Sequence, residues 1–149
     1  DGSITSTVQA NTTAGFSIIT YTGTGANATV GHGLGKAPAM TIHKRRDSSS
    51  GWLVYHQGIG ATKYLQLNST DAQSTASFAW NDTEPTSSVI SLGYAGGNNS
   101  SGGSYVAYCF AEIEGYSKFG SYTANGSNDG TFVYTGFRPA LVITKRTYP

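Results

Sequence analysis

Charge is what this sequence has least of. Asp, Glu, Lys and Arg make up 11% of its 149 residues, against roughly 25% in an ordinary globular domain. Lys and Arg number 9 and Asp and Glu 8, a net of +1, so nothing in the charge favours nucleic acid or an anionic membrane surface. The single cysteine, Cys109, excludes an intrachain disulfide framework. No apolar run approaches the roughly 20 residues that span a bilayer as a helix, and no signal peptide or targeting motif is visible. Asp1 stands where an initiator Met would, which points to a processed chain or a fragment. Helical periodicity is missing too. No segment repeats apolar residues at i, i+3, i+4 and i+7 over the roughly 11 residues an amphipathic helix requires.

In the place of charge stand Ser, Thr, Asn and 20 Gly. Low charge with only 38% apolar residues would also describe a disordered chain. The 10 Tyr, 6 Phe and 2 Trp argue against that, because they fall inside alternating runs. Residues 16–22 place Phe16, Ile18 and Thr20 on one face and Ser17, Ile19 and Tyr21 on the other. Residues 39–45 send Met40, Ile42 and Lys44 one way and Thr41, His43 and Arg45 the other. Further strands are predicted over 52–56, 64–67, 77–80 and 89–94, separated by Gly-, Asn- and Ser-rich turns. Residues 105–113 are apolar on both faces, which predicts a central strand covered on both sides, with Cys109 as a small core residue. Short strands with turn signals every 8–12 residues or so predict an all-β antiparallel sandwich without substantial helix.

One stretch is written twice. From Tyr21 onward, residues 21–45 return at a constant offset of about 101: Tyr21-Thr22 as Tyr122-Thr123, Gly25 as Gly126, Asn27 as Asn128 and Gly35 as Gly136. Pro38-Ala39 returns as Pro139-Ala140, Ile42 as Ile143, and Lys44-Arg45 as Lys145-Arg146. Matching turn and strand residues at one offset mark a repeated structural unit. Three parts are therefore expected: a polar arm or linker over 1–14, a β-sandwich unit over 15–114, and the opening strands of a second unit over 115–149. Those last strands, predicted near 116–123, 131–134 and 140–147, either begin another unit or complete the first sandwich.

Motifs for chemistry are weak. Gly23-Thr24-Gly25-Ala26-Asn27-Ala28 formally fits a dinucleotide fingerprint, but the Gly and Pro that follow would not open the helix such a site needs. His32, His43 and His56 lack metal-motif spacing, and Cys109 beside a histidine would be a nucleophile pair only if it left its apolar strand. Asp82 and Glu84 sit in a polar turn before Pro85, where nothing raises a carboxyl pKa for glycoside hydrolysis. No cofactor, metal or catalytic residue is predicted, and the chain is expected not to be an enzyme. Sequons at Asn11, Asn27, Asn68, Asn81, Asn98, Asn99 and Asn125 would accept glycans in a secreted eukaryotic protein, and several arise from composition alone. The aromatics Trp52, Tyr55, Tyr64, Trp80 and Tyr94 lie near loops. They are candidates for stacking on sugars, with ordinary β-core packing as the alternative.

The ordered wording of residues 104–146, SYVAYCFAEIEGYSKFGSYTANGSNDGTFVYTGFRPALVITKR, resembles a repeat domain of unknown function in bacteriophage and marine viral structural and fibre-like proteins. Residues 15–56 and the LNST at 67–70 fit the same pattern. The resemblance implies a concanavalin-like, laminin-G-like or jelly-roll-like sandwich. It further implies a virion surface component, in a tail fibre, appendage or capsid decoration, that self-associates and meets other virion proteins. Recognition of host surface glycans is the alternative. The family brings no catalytic residues.

Overall fold

The computed structural model describes residues 2–148, so Asp1 and Pro149, the outermost residues of the expected arm and second unit, lie outside the described residues. The chain is all-β and sandwich-like. Its strands are β1 (Ser6–Asn11), β2 (Phe16–Thr22), β3 (Ala28–Gly31), β4 (Met40–Arg45), β5 (Trp52–His56), β6 (Lys63–Gln66), β7 (Ser74–Thr75), β8 (Val89–Leu92) and β9 (Ser104–Phe110). One helical turn, α1 (Ser77–Trp80), interrupts them. A seven-stranded antiparallel sheet runs β1-β2-β9-β4-β5-β6-β7, and β3 pairs with β8 in a second sheet of two strands.

Alternation within the strands decides what lies between the layers. Ile19 and Tyr21 of β2, Tyr105, Ala107 and Cys109 of β9, and Leu53 and Tyr55 of β5 form one cluster with Val30, Ile90, Leu92, Ala79 and Trp80. Burying each large side chain of this kind stabilises the fold by roughly 1.5–3 kcal/mol. The opposite face of the large sheet is also apolar. The register aligns Ile18, Tyr108, Ile42, Val54 and Leu65 in a row across neighbouring strands. Val54 and Leu65 in that row are buried, while Ile18, Ile42 and Tyr108 are half-buried.

Four expectations need correction. Residues 6–11, within the predicted arm, form β1, which is paired with β2 from Ser6↔Tyr21 to Asn11↔Phe16. An edge strand needs backbone partners on one side only, so its polar side chains gave no apolar signal. Residues 77–80 turn as α1, closed by Asn81 in the left-handed region (φ 53) with its N–H donated to Ser77 O at 2.8 Å. The turn sends the adjacent Ala79 and Trp80 into the same core cluster, whereas successive side chains of a strand point to opposite faces. As expected, β9 is an interior strand of the sheet, between β2 and β4, with Cys109 buried, but its second face is half-buried and not fully covered. Finally, residues 115–148 contain no paired strand, although strands were predicted near 116–123, 131–134 and 140–147. A strand is stable only with a neighbour, and the position between β5 and β9 that would suit this segment is filled by β4.

Candidate functional site

The five aromatic candidates separate. Tyr55 and Trp80 are core residues, 3% and 2% exposed, so for these two the β-core packing reading holds and neither presents a stacking surface. Trp80 lies 5.0 Å from the His43 ring and 6.0 Å from Tyr55, centroid to centroid, and its indole N–H is donated to Lys63 O at 2.9 Å. The Tyr55 hydroxyl donates to Glu84, whose other oxygen accepts the Ala61 N–H at 2.8 Å. Burial and this carboxylate push the Tyr55 phenol well above its ordinary pKa. Glu84 thus ties the 81–88 loop to the sheet, and Asp82 takes no part in the arrangement.

Trp52 is on the other side of the sheet. It is half-buried, with the Lys44 ammonium 5.9 Å from its ring centroid. It lines a surface depression of about 150 Å³ with Leu67 and Asn68. The paired register Val54↔Leu65 and Leu53↔Gln66 places Tyr64 level with Tyr55 on the core side, away from Trp52.

Tyr64 and Tyr94 do come together, through a residue the sequence did not single out. Phe78 lies 6.2 Å from each of their rings, making a strip of three aromatics. Phe78 is 39% and Tyr94 61% exposed, while Tyr64 packs against the core. The strip is rigidly held. Gly93 N–H is donated to Ala79 O and Ala95 N–H to Phe78 O, both at 2.9 Å, which brackets Tyr94 between two backbone bonds. A Cβ on Gly93 would sit 2.2 Å from Phe78 O, so only glycine allows this approach. Phe78 lies in the 77–80 stretch whose sequence predicts a strand, and the helical turn that presents it gives no periodic signal in four residues.

The polar interior is structural. Tyr21 donates its one hydroxyl proton to Asn98 O at 2.6 Å. His43 Nδ1, 3.1 Å from the Tyr21 hydroxyl oxygen, must therefore carry a proton and donate it to that oxygen, leaving Nε2 to accept from the Thr41 hydroxyl at 3.1 Å. Complete burial lowers the His43 pKa to about 3, so the ring is neutral and both nitrogens are occupied. Asn99 donates to Ala26 O and Gly93 O, each at 2.7 Å, and accepts the Thr24 N–H at 2.8 Å. Asn98 and Asn99 are 0% exposed, so these two sequons are inaccessible in the folded chain. Cys109 is equally buried, and burial pushes its thiol up to about 12.

Beyond Glu114 the chain becomes an arm. Its root is anchored on the outer sheet face, where Phe119 lies 6.3 Å from the Phe110 and His56 rings and the Gln57 amide donates to Phe119 O at 2.9 Å. Its far end is anchored by Lys145, which donates to Ser69 O at 2.6 Å and Asp71 O at 2.8 Å, and by Thr147 O, which accepts the Gln73 N–H at 3.1 Å. Between the anchors the apolar side chains face solvent: Phe132 is 85%, Tyr134 78%, Leu141 77% and Val142 70% exposed. A family model described as a domain of unknown function (DUF7483) matches residues 1–148. The chain belongs to the DUF7483 family. No curated protein and no solved structure matches it. The DUF7483 match takes in the arm as well as the sheets, so the arm is part of the family's own sequence. Among the described residues no group of three His, Cys, Asp or Glu is placed to hold a metal ion, and no helix is long and apolar enough to cross a membrane.

Proposed function

We propose that this chain is a non-enzymatic building unit of a bacteriophage virion surface, in a tail fibre, appendage or capsid decoration, and that it acts by associating with other units. The observation that carries the assembly part is the arm. Phe132, Val133, Tyr134, Leu141, Val142 and Ile143 are all at least 49% exposed within one short stretch. Exposed apolar surface so concentrated is the usual mark of an interaction surface, and a surface poor in charge has little to desolvate on contact. The virion setting comes from the resemblance of residues 15–56 and 104–146 to phage structural repeats. Light scattering and sedimentation at tens of micromolar test the assembly part. An oligomer is expected that reverts to monomer when residues 121–149 are deleted. A monomer at that concentration, together with no interface above roughly 1,000 Å² in any solved assembly, would refute it.

A second reading, recognition of host surface carbohydrate, is favoured by the strip Tyr64–Phe78–Tyr94, whose rings are spaced 6.2 Å apart and partly open to solvent. Flat apolar ring faces stack on the C–H face of a sugar. Titration calorimetry against bacterial surface oligosaccharides, with Tyr94→Ala and Phe78→Ala as controls, decides it. Binding that both substitutions abolish supports the reading. No heat, or binding indifferent to both, removes it.

A further inference from the structure

The arm repeats the turn geometry of the first unit without its strand pairing. Gly25 adopts φ +75 and its counterpart Gly126 +71; Gly35 adopts +70 and Gly136 +82. Both lie in the left-handed region that favours glycine. The chain bends at 25–27, at 35–36 and at 39, and again at 126–129, at 136–137 and at 140. Residues 122–147 thus repeat the bends of residues 21–46 while most of their side chains stay exposed. The counterparts differ greatly in burial: Thr41 is 1% and His43 0% exposed, whereas Val142 is 70% exposed.

We infer that the arm is a preformed β2–β3–β4 segment and that its partner is a strand set of this same fold, equivalent to β5–β9, carried by a further unit. This deepens the reading of the arm as an interaction surface and rests on that part of it, not on self-association of the parent chain. The first unit supplies the register. β4 lies between β5 and β9, with Met40 level with His56 and Phe110, Ile42 with Val54 and Tyr108, and Lys44 with Trp52 and Val106. The arm offers Leu141, Ile143 and Lys145 at those positions, so the outer row keeps its two apolar residues and its lysine. On the core side Tyr122 repeats Tyr21, but Val142 and Thr144 replace Thr41 and His43. The completed second unit therefore has no buried histidine. The arm has no such place in its own unit, because β4 already occupies the site between β5 and β9.

The test extends the full chain beyond Pro149 with a copy of residues 49–114, since residues 147–149 are the counterparts of 46–48. Hydrogen exchange followed by mass spectrometry reads the amides of residues 140–147. They are expected to exchange at least ~100-fold more slowly in the extended chain than in the parent, approaching the protection of residues 39–46. Ile143→Lys in the extended chain should return them to fast exchange and leave residues 39–46 protected. Arm amides that stay fast in the extended chain, or an added segment that does not fold, overturn the inference. So does Ile143→Lys leaving the arm protected. The outcome is separate from self-association of the parent chain. A monomeric parent with a protected arm in the extended chain removes only the earlier reading, and an oligomeric parent with a fast arm removes only this one.

Discussion

Acid should act on this fold chiefly through His43. Its imidazole is completely buried, and desolvation lowers its pKa from 6.5 to about 3. In the unfolded chain the ring takes up a proton as the pH falls through 6.5, while the folded chain resists until about 3. Stability is therefore fully present above pH 6.5 and is lost progressively as the pH falls from 6.5 towards 3. At pH 5 the unfolded state has gained about 1.5 pK units of protonation, worth about 2 kcal/mol at 1.36 kcal/mol per unit. Complete loss, over the whole 3.5-unit shift, comes to about 5 kcal/mol, a large part of the 5–15 kcal/mol or so that holds a domain folded. His32 and His56 are also lowered by burial and add in the same direction, so a variant is needed to isolate His43.

His43→Gln is that variant. A glutamine amide has a donor for the Tyr21 oxygen and an acceptor for the Thr41 hydroxyl, in the arrangement the imidazole uses, but it does not titrate. Its packing against Trp80 will be poorer, so its stability at pH 7.5 should be lower. The informative quantity is the loss between pH 7.5 and pH 5, measured by urea unfolding with tryptophan fluorescence. That loss should be smaller in the variant by about 2 kcal/mol. Equal pH dependence in the two proteins would refute the reasoning, as would a folded-state His43 resonance titrating above pH 6.

Asn99→Ala should destabilise the fold by about 2–3 kcal/mol, since it orphans the buried Gly93 carbonyl and breaks two part-buried bonds, to Ala26 O and from the Thr24 N–H; thermal melting checks it. Gly93→Ala should cost about 2 kcal/mol or more, because its methyl meets Phe78 O at 2.2 Å, and urea unfolding should show a lower midpoint with the same slope. The Cys109 thiol, buried and raised to about 12, should react with a bulky disulfide reagent only as fast as the chain unfolds. Prompt labelling in native buffer would contradict its place in β9.

The parts of the fold that the sequence disclosed are those with a local signal. The alternations in β2 and β4 named the faces that the structure shows, because a half-buried strand writes its environment at every second residue. β1 and α1 wrote nothing comparable: the first is a polar edge and the second a single turn. Of the sugar-stacking candidates, Tyr64 and Tyr94 meet only through Phe78, and that depends on α1 folding back to bond with Gly93 and Ala95. Asn98 and Asn99 sit within a run of Gly, Asn and Ser that has the composition of a solvated loop. Their side chains are held by carbonyls from Ala26 and Ala79, which are distant in sequence, and from the nearer Gly93. Composition describes a loop's residues and not what surrounds them.

The repeat shows the same limit within one chain. Residues 21–45 and 122–146 share their turn glycines, and both copies place those glycines at positive φ. Turn conformation is decided within a few residues, so it follows sequence wherever the segment lies. Strand formation is decided by a neighbour tens of residues away: β4 is bonded to β5 and β9, and β2 to β1 and β9. With no second β5 or β9 among the described residues, the copied segment keeps its bends and forms no sheet. The difference between β4 and residues 141–146 is then one of partners more than of sequence. The side chains that would fill the gap between two strands are the same ones that make the arm an exposed apolar surface.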